Sequence, residues 1–169
     1  YAEAFSFLQS KNLYTVDDLE STLHAMQDKI DTLKKSASAK QVRIKELDEL
    51  LRMADYYKSG KSAADKLKSI RFEKSRQKYK SEHDDELRTF YMAERKLKSY
   101  FKDGKLPITA WRKERDRLEQ EYKTGQAELS HIYAEVKKLW QIKYKVEQVI
   151  HEQERQNAVT RQKKQEIEH

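Results

Sequence analysis

The fold is decided by the segment 111–150, WRKERDRLEQEYKTGQAELSHIYAEVKKLWQIKYKVEQVI, in which apolar residues recur in heptads. The first series has a spacing of seven or fourteen residues: Trp111, Leu118, Ile132, Leu139 and Val146. The second series is offset from the first by four: Tyr122, Leu129, Val136 and Ile150. Alternating steps of three and four are typical of a long helix that presents a narrow apolar seam to partner helices. Only Arg115, Gly125 and Lys143 interrupt the seam, so the pattern predicts a helix over 110–153, roughly 65 Å long.

A second long helix is predicted over 16–57, with an end at Gly60. Its two seam series are Leu19, Met26, Leu33, Leu47 and Ala54, and Leu23, Ile30, Ala37, Ile44 and Leu51. Lys40 is the single break. Thr15 followed by Asp18 has the spacing of an N-cap with an acidic residue three positions on. The two seams are similar in length, so they are expected to pack against each other.

The remaining segments complete the predicted architecture. We expect a short helix over 2–11, a middle helix over 62–102 that breaks near residue 80, and a frayed polar tail over 155–169. Three segments of about 40 residues joined by short turns predict an all-α fold, an elongated antiparallel three-helix bundle over 1–154. A two-helix hairpin with a separately folded middle is the alternative.

Composition supports this fold class and limits the others. Charged residues make up 38% and hydrophobic residues 37% of the 169 residues, with 3 Gly and 1 Pro, which is unlike a compact α/β domain. There is no cysteine, so neither a disulfide nor a thiolate metal site is expected. No apolar run is long enough to span a membrane and no signal peptide is evident, so a cytoplasmic protein is expected. The start on Tyr1 suggests a piece of a longer protein.

The net charge of +7 is concentrated in one segment, which we call the basic window, Lys58–Lys80. Its nine basic residues are the candidate nucleic-acid-binding residues: Lys58, Lys61, Lys66, Lys68, Arg71, Lys74, Arg76, Lys78 and Lys80. Only Asp65 and Glu73 oppose them, and the rest of the chain balances at 27 basic and 27 acidic residues. Contact with phosphates, an acidic protein partner and a merely solvated face are the three open interpretations. Phe72 and Tyr79 within the window, like Trp111 and Trp140, are predicted to be core or helix-interface residues.

Catalytic patterns are weak throughout. The five histidines have no metal-ligand spacing, and the run Glu82–Glu86 is interpreted as the cap and acidic first turn of a helix. Gly60-Lys61-Ser62 lacks the upstream glycine and the strand of a phosphate-binding loop. We therefore predict no catalytic residue, no metal, no cofactor and no small-molecule ligand.

Several stretches resemble one known family. These are Phe7–Tyr14 followed by Asp18-Leu19-Glu20, Arg43–Leu47 leading to Tyr56-Tyr57-Lys58, Lys78–His83 with Phe90–Leu97, and Lys105-Leu106-Pro107. They are similar to the region after the nuclease domain of relaxases, the mobilisation proteins of Gram-positive conjugative plasmids and transposons. The likeness extends to about Ile150, and its motifs are helical and moderately specific.

The resemblance implies a role in DNA transfer. In such relaxases an N-terminal domain, with a tyrosine nucleophile and a histidine-bound metal, nicks one DNA strand. This chain lacks that histidine cluster, so none of its ten tyrosines is assigned as the nucleophile. The expectation is a non-catalytic, helical C-terminal domain that binds DNA or assembles the transfer complex with other proteins or itself. A coiled-coil interaction or dimerisation module without nucleic-acid contact is the alternative.

Overall fold

The computed structural model describes residues 2–169, which form five α-helices and no β-strand. The helices are α1 (Ala2–Ser10), α2 (Val16–Ser69), α3 (Glu73–Glu82), α4 (Asp84–Leu97) and α5 (Ile108–Glu168), with a 3₁₀ turn at Lys98–Tyr100. The predicted all-α helical bundle is confirmed. In this part of the chain, no helix combines the length and the apolar composition needed to cross a bilayer.

The chain divides into two compact units. The first comprises residues up to Ser36 together with Gly125–His169, and the second comprises Ala37–Thr124. Both units draw on α2 and α5, while α1 belongs to the first and α3 and α4 belong to the second.

The first unit is held together by two apolar clusters. In one, Leu13, Leu19, Leu23 and Leu139 are buried, with Phe7 and Leu8 of α1 packed against them. In the other, Ile30 of α2 is buried with Leu129 and Ile132 of α5. The predicted seam residues of α2 and α5 therefore face each other in this unit, with α1 covering one end of their contact.

The second unit also has two clusters. The larger joins α2, α4 and α5 through Leu47, Met53, Ala54, Ala93, Leu97, Trp111 and Leu118. The smaller joins the C-terminal part of α2 to α3 and α4 through Ala63, Ala64, Leu67, Tyr79, Leu87 and Phe90. No polar side chain is buried in the described residues, so the hydrophobic effect supplies the cohesion of both clusters.

Charged residues that interrupt the α5 seam are neutralised by neighbouring carboxylates. Arg115 forms an ion pair with Asp48 of α2 and another with Glu119, whose oxygen lies 3.0 Å from the guanidinium. Lys143 Nζ lies 3.4 Å from Glu20 of α2 and 3.3 Å from Glu147. The long side chains thus lay their apolar stems along the seam and place their charges at its edge.

The start of α2 is a reciprocal cap. The Asp18 backbone N–H donates to Thr15 Oγ1 at 3.0 Å, and the backbone N–H groups of Tyr14 and Thr15 donate to Asp18 Oδ2 at 3.0 Å. These bonds hold the pKa of Asp18 below its ordinary value, the Tyr14 N–H contributing most. Leu13 and Leu19 on either side of the cap lie in the same apolar cluster.

Several helix boundaries differ from the sequence-based expectation. The helix predicted to end at 57 continues through Gly60 to Ser69, because Ala63, Ala64 and Leu67 give it a further apolar face. Residues 62–69 therefore belong to α2, and the middle helical segment begins only at Glu73. It is divided at His83 into α3 and α4, close to the break predicted near residue 80.

The other differences concern α5. It begins at Ile108, two residues before the predicted start at 110. It extends to Glu168, so the tail 155–169 predicted to fray is helical except for its last residue. That tail lacks Gly and Pro and is rich in Gln, Glu, Lys and Arg, which favour helix.

A tight turn precedes α5. Asp103 and Gly104 both have positive φ, 52° and 74°, and the N–H groups of Lys102 and Lys105 donate to each other's carbonyls at 2.9 and 3.0 Å. Two consecutive left-handed residues are the geometry of a type I′ hairpin turn, for which Asp-Gly is a preferred pair.

Candidate nucleic-acid interface

The basic window covers three consecutive structural segments of the second unit. Lys58, Lys61, Lys66 and Lys68 lie on the last three turns of α2, and Arg71 lies in the connection to α3. The remaining cations, Lys74, Arg76, Lys78 and Lys80, lie on α3. All nine candidate residues are thus placed on adjoining elements that share one apolar cluster.

The C-terminal part of α2 separates its cations from its core face. Gly60, Ala63, Ala64 and Leu67 are buried, which defines that face. At 3.6 residues per turn, Lys58 lies opposite this face, whereas Lys61 and Lys68 flank it on one side, and all three are exposed. The core contact therefore orients this part of α2 with its positive charges toward solvent.

Lys66 flanks the α2 core face on the side opposite Lys61 and Lys68. Its Nζ is 5.5 Å from the centroid of the Tyr79 ring, a cation–π contact that links α2 to α3. Lys66 is therefore the one member of the window with a position fixed by an aromatic partner on another helix.

Helix α3 has a single buried residue, Tyr79. Lys74 and Lys78 are four residues apart and share one side of the helix, while Arg76 and Lys80 share another. The cations of α3 therefore flank its buried edge on two sides. Together with those of α2, they form a broad positive surface instead of a single stripe.

Few of these cations are neutralised within the protein. Lys61 Nζ lies 3.6 Å from Asp65, and Lys78 Nζ lies 4.0 Å from Glu82. Within residues 2–169, no carboxylate lies within 4.0 Å of the other members, Lys58, Lys66, Lys68, Arg71, Lys74, Arg76 and Lys80. Both existing pairs are exposed, so solvent screens them strongly.

Two arginines outside the window form ion pairs between helices. Arg43 donates to both carboxylate oxygens of Glu114, at 2.8 and 3.1 Å, and this hydrogen bonding lowers the pKa of Glu114. Arg115 binds Asp48. The structure thus uses these arginines to join helices, whereas the window leaves most of its cations free for an external anion.

The two aromatic residues of the window have different environments. Tyr79 is 8% exposed, as the core prediction requires, but Phe72 is 78% exposed and its core prediction is wrong. Phe72 directly precedes α3 in an extended conformation, where the helical spacing from Tyr79 no longer applies. An exposed aromatic ring among cations can stack on a nucleic-acid base. The seven-residue spacing thus led to a core assignment for Phe72, which is instead a candidate contact to nucleic acid.

The two tryptophans divide in the same way. Trp111 is buried among residues of α2 and α4, as predicted. Trp140 is 53% exposed and is therefore not a core residue, but it lines a groove with Leu23 and Gln27 of α2, at the edge of the helix interface. Lys143 Nζ lies 4.9 Å from its ring centroid. Trp140 belongs to the first unit and is not part of the basic window.

The sequence features that resembled a phosphate-binding loop or a cation site lie within ordinary helices. The Gly60-Lys61-Ser62 triplet lies inside α2, where the backbone N–H groups serve the helix and do not cradle a phosphate. Asp84, Asp85 and Glu86 form the first turn of α4, and Asp84 binds Arg88 at 2.5 Å. Across residues 2–169, no group of three or more potential ligands is arranged to hold a metal ion.

A scan against protein-family models, a search of curated proteins and a search of solved structures find no match to this chain.

Proposed function

We propose that this chain is a non-catalytic helical part of a DNA relaxase that acts in conjugative mobilisation in the cytoplasm, and that its basic window binds DNA. The observation that supports DNA binding is the set of nine cations over 58–80, all exposed except the half-buried Arg76. Seven of the nine have no carboxylate within 4.0 Å among the described residues. The resemblance of the helical motifs to mobilisation relaxases supplies the biological context. Assembly of the transfer complex through other proteins is a further part of the proposal.

The chemistry of the window favours contact with the DNA backbone over reading of bases. Seven of its nine cations are lysines, whose compact ammonium groups act as point charges toward phosphate. Only Arg71 and Arg76 can form the bidentate contacts that distinguish guanine. Phe72 adds one exposed ring for stacking. The proposal is therefore binding with little sequence preference and with strong dependence on salt.

The test neutralises the cations of α3 in one variant, Lys74→Gln, Arg76→Gln, Lys78→Gln and Lys80→Gln. Each phosphate contact contributes roughly 0.9 to the log–log salt slope on duplex DNA and roughly 0.7 on single strands. If all four contact phosphates, the slope on duplex should fall by about 3 to 4, and affinity near physiological salt should fall at least ~10-fold. Fluorescence anisotropy with single- and double-stranded oligonucleotides across a salt series measures both quantities.

A matched control removes the same charge elsewhere. Lys45, Arg112, Lys113 and Lys123 are exposed, belong to the same unit and have the same composition of three lysines and one arginine. Changing these four to Gln lowers the net charge equally and should leave most of the slope intact. An equal loss in both variants would show that only net charge matters, and no binding by the unmodified protein would reject the proposal.

The second candidate function is a protein-interaction or dimerisation module with no nucleic-acid contact. It is favoured by the apolar side chains that α1 and α5 leave exposed, among them Phe5, Val149 and Ile150. In this case the basic window would meet an acidic protein surface. Binding to an acidic protein segment together with no binding to DNA would favour this candidate over the first.

A further inference from the structure

The last eighteen residues of α5, 151–168, form a helix with no packed face. Every residue in this α5 extension is exposed. Most helical stability in proteins comes from packing of an amphipathic face, and the extension packs no face within the chain. The extension therefore has the property of an element that is stabilised by a partner.

The apolar seam of α5 continues into this extension in the same heptad register. The seam positions after Val146 are Ile150, Gln153, Asn157, Thr160, Lys164 and Ile167. Ile150 and Ile167 are thus the apolar ends of an otherwise polar seam, and Ile167 is 84% exposed. This pattern matches a short, weak coiled coil whose polar layers specify register at a cost in stability.

An apolar groove lies at the beginning of the extension. It has a volume of about 550 Å³ and lies between α1 and α5. Phe5 and Leu8 form its α1 side, and Val146, Val149 and Ile150 form part of its α5 side. The groove is continuous with the seam, because 146, 149, 150 and 153 lie on one face of the helix.

We propose that two copies of this chain pair through their α5 extensions in antiparallel orientation, with Ile167 of each copy entering the groove of the other. This interface goes beyond the proposed DNA binding and involves the first unit only. The register pairs Ile150 with Ile167, Gln153 with Lys164 and Asn157 with Thr160 of the second copy. Each pair joins the two kinds of seam position, as antiparallel coiled coils require.

The charges of the extension are complementary in this register. The segment 147–154 contains three glutamates and no Lys or Arg, whereas 155–164 contains four basic residues and no acidic one. Antiparallel pairing brings Glu154 beside Arg161 of the second copy on one flank. The two-fold axis repeats this pair, so each interface has two ion pairs.

The remaining flanking contact is a like-charge pair. Glu147 meets Glu168 of the second copy at each end, and Lys143 already neutralises Glu147 at 3.3 Å. A parallel arrangement is less favourable, because it places Lys164 against its own copy in the seam. The seam position of Lys164 therefore favours the antiparallel orientation.

Cysteine cross-linking tests the register, because the chain has no native cysteine. Ile150→Cys and Ile167→Cys variants of the full chain, differently tagged, are mixed and oxidised. The antiparallel register predicts a mixed disulfide between the two variants. It predicts no disulfide within Ile150→Cys alone, because positions 150 of the two copies would lie about 25 Å apart along the axis. A disulfide between two Ile150→Cys chains, without a mixed disulfide between Ile150→Cys and Ile167→Cys, would overturn this register in favour of parallel pairing.

Self-association is measured by sedimentation velocity over a concentration series. Ile167→Ser should weaken the dimer at least 10-fold, while Val159→Ser, an exposed residue on another face, should change the dimerisation constant less than 2-fold. Glu154→Arg should weaken the dimer, and Glu154→Arg combined with Arg161→Glu should restore it. A strict monomer at every concentration, or equal effects of Ile167→Ser and Val159→Ser, overturns the proposal. DNA binding is scored separately by anisotropy, so failure of either proposal is recognised independently.

Discussion

Gly60 occupies the closest approach between α2 and α4. A Cβ atom added at this position would lie 2.6 Å from Phe90 Cβ and 3.3 Å from the Glu86 carbonyl oxygen. Neither contact can relax by a simple rotamer change, because one partner atom is backbone and the other is the first side-chain atom. The absence of a side chain at residue 60 is therefore a packing requirement of the second unit.

We predict that Gly60→Ala destabilises the protein. Ala favours helix over Gly by about 0.5–1 kcal/mol, but overpacking typically costs about 1–3 kcal/mol. The clash should dominate, and the unfolding free energy should fall by about 1–2 kcal/mol. Urea denaturation followed by circular dichroism measures the change.

Gly125 provides the matched control for this substitution. It also lies inside a helix, α5, but an added Cβ would meet no atom within 4 Å. Gly125→Ala should therefore stabilise the protein by about 0.5–1 kcal/mol. The same sign for both substitutions would refute the proposed role of the Gly60–Phe90 contact.

Asp18 gives the α2 cap a defined pH dependence. The N–H of Tyr14, followed by the contacts with Thr15, lowers the pKa of Asp18 from its ordinary value of 3.8. The folded-state pKa is thus below the unfolded one, so the stabilisation is fully present above pH 3.8 and is lost as pH falls through the folded-state pKa. We expect Asp18→Ala to lower the melting temperature at pH 7 and to have a smaller effect at pH 3.

Asp17→Ala is the control for the cap, because Asp17 is also an acidic residue in the first turn of α2. It should lower the melting temperature less than Asp18→Ala at pH 7. Equal melting temperatures for unmodified protein and Asp18→Ala at pH 7 would contradict the assigned hydrogen bonds.

At the scale of helices, heptad spacing was informative where the helix is continuous. Leu23, Leu47, Leu118 and Leu139 are buried as their seam positions predict. The spacing failed for Phe72, because the chain leaves α2 at Ser69 and α3 begins only at Glu73. Residues seven positions apart lie on the same face only when both belong to one continuous helix.

The end of α2 was misplaced for a related reason. Gly60 has low intrinsic helix propensity, which favours a stop, but the contact with Phe90 requires that glycine inside the helix. The sequence also located the basic residues of the window. It did not show which of them are neutralised, because ion pairing depends on which side chains the fold brings close.

Helix α3 depends on one anchor, which leads to a prediction at this scale. Tyr79→Ala removes its only buried side chain and the cation–π partner of Lys66. We expect faster amide hydrogen exchange over Glu73–Glu82, with exchange in the Leu47 cluster unchanged. Phe72→Ala removes an exposed ring and should leave exchange in α3 as it was. Faster exchange in both variants would argue against Tyr79 as the anchor.

At the scale of the molecule, the two proposed contacts belong to different units. The basic window lies in Ala37–Thr124, and the α5 extension lies in Gly125–His169. Truncation after Gln153 should abolish self-association but preserve the salt slope on a short duplex that holds one copy. The variant with four glutamines in α3 should keep self-association and lose most of the salt slope. Loss of both activities in either variant would contradict this separation.

The exposed cations of the basic window also make the free protein's stability depend on the solution around it. Like charges crowded on α2 and α3 repel one another, which raises the free energy of the folded state. A polyanion bound to the folded window relieves this repulsion, and thermodynamic linkage converts that binding into resistance to heat. The second unit should therefore melt higher in phosphate or heparin than in chloride of equal ionic strength, before any specific ligand is known.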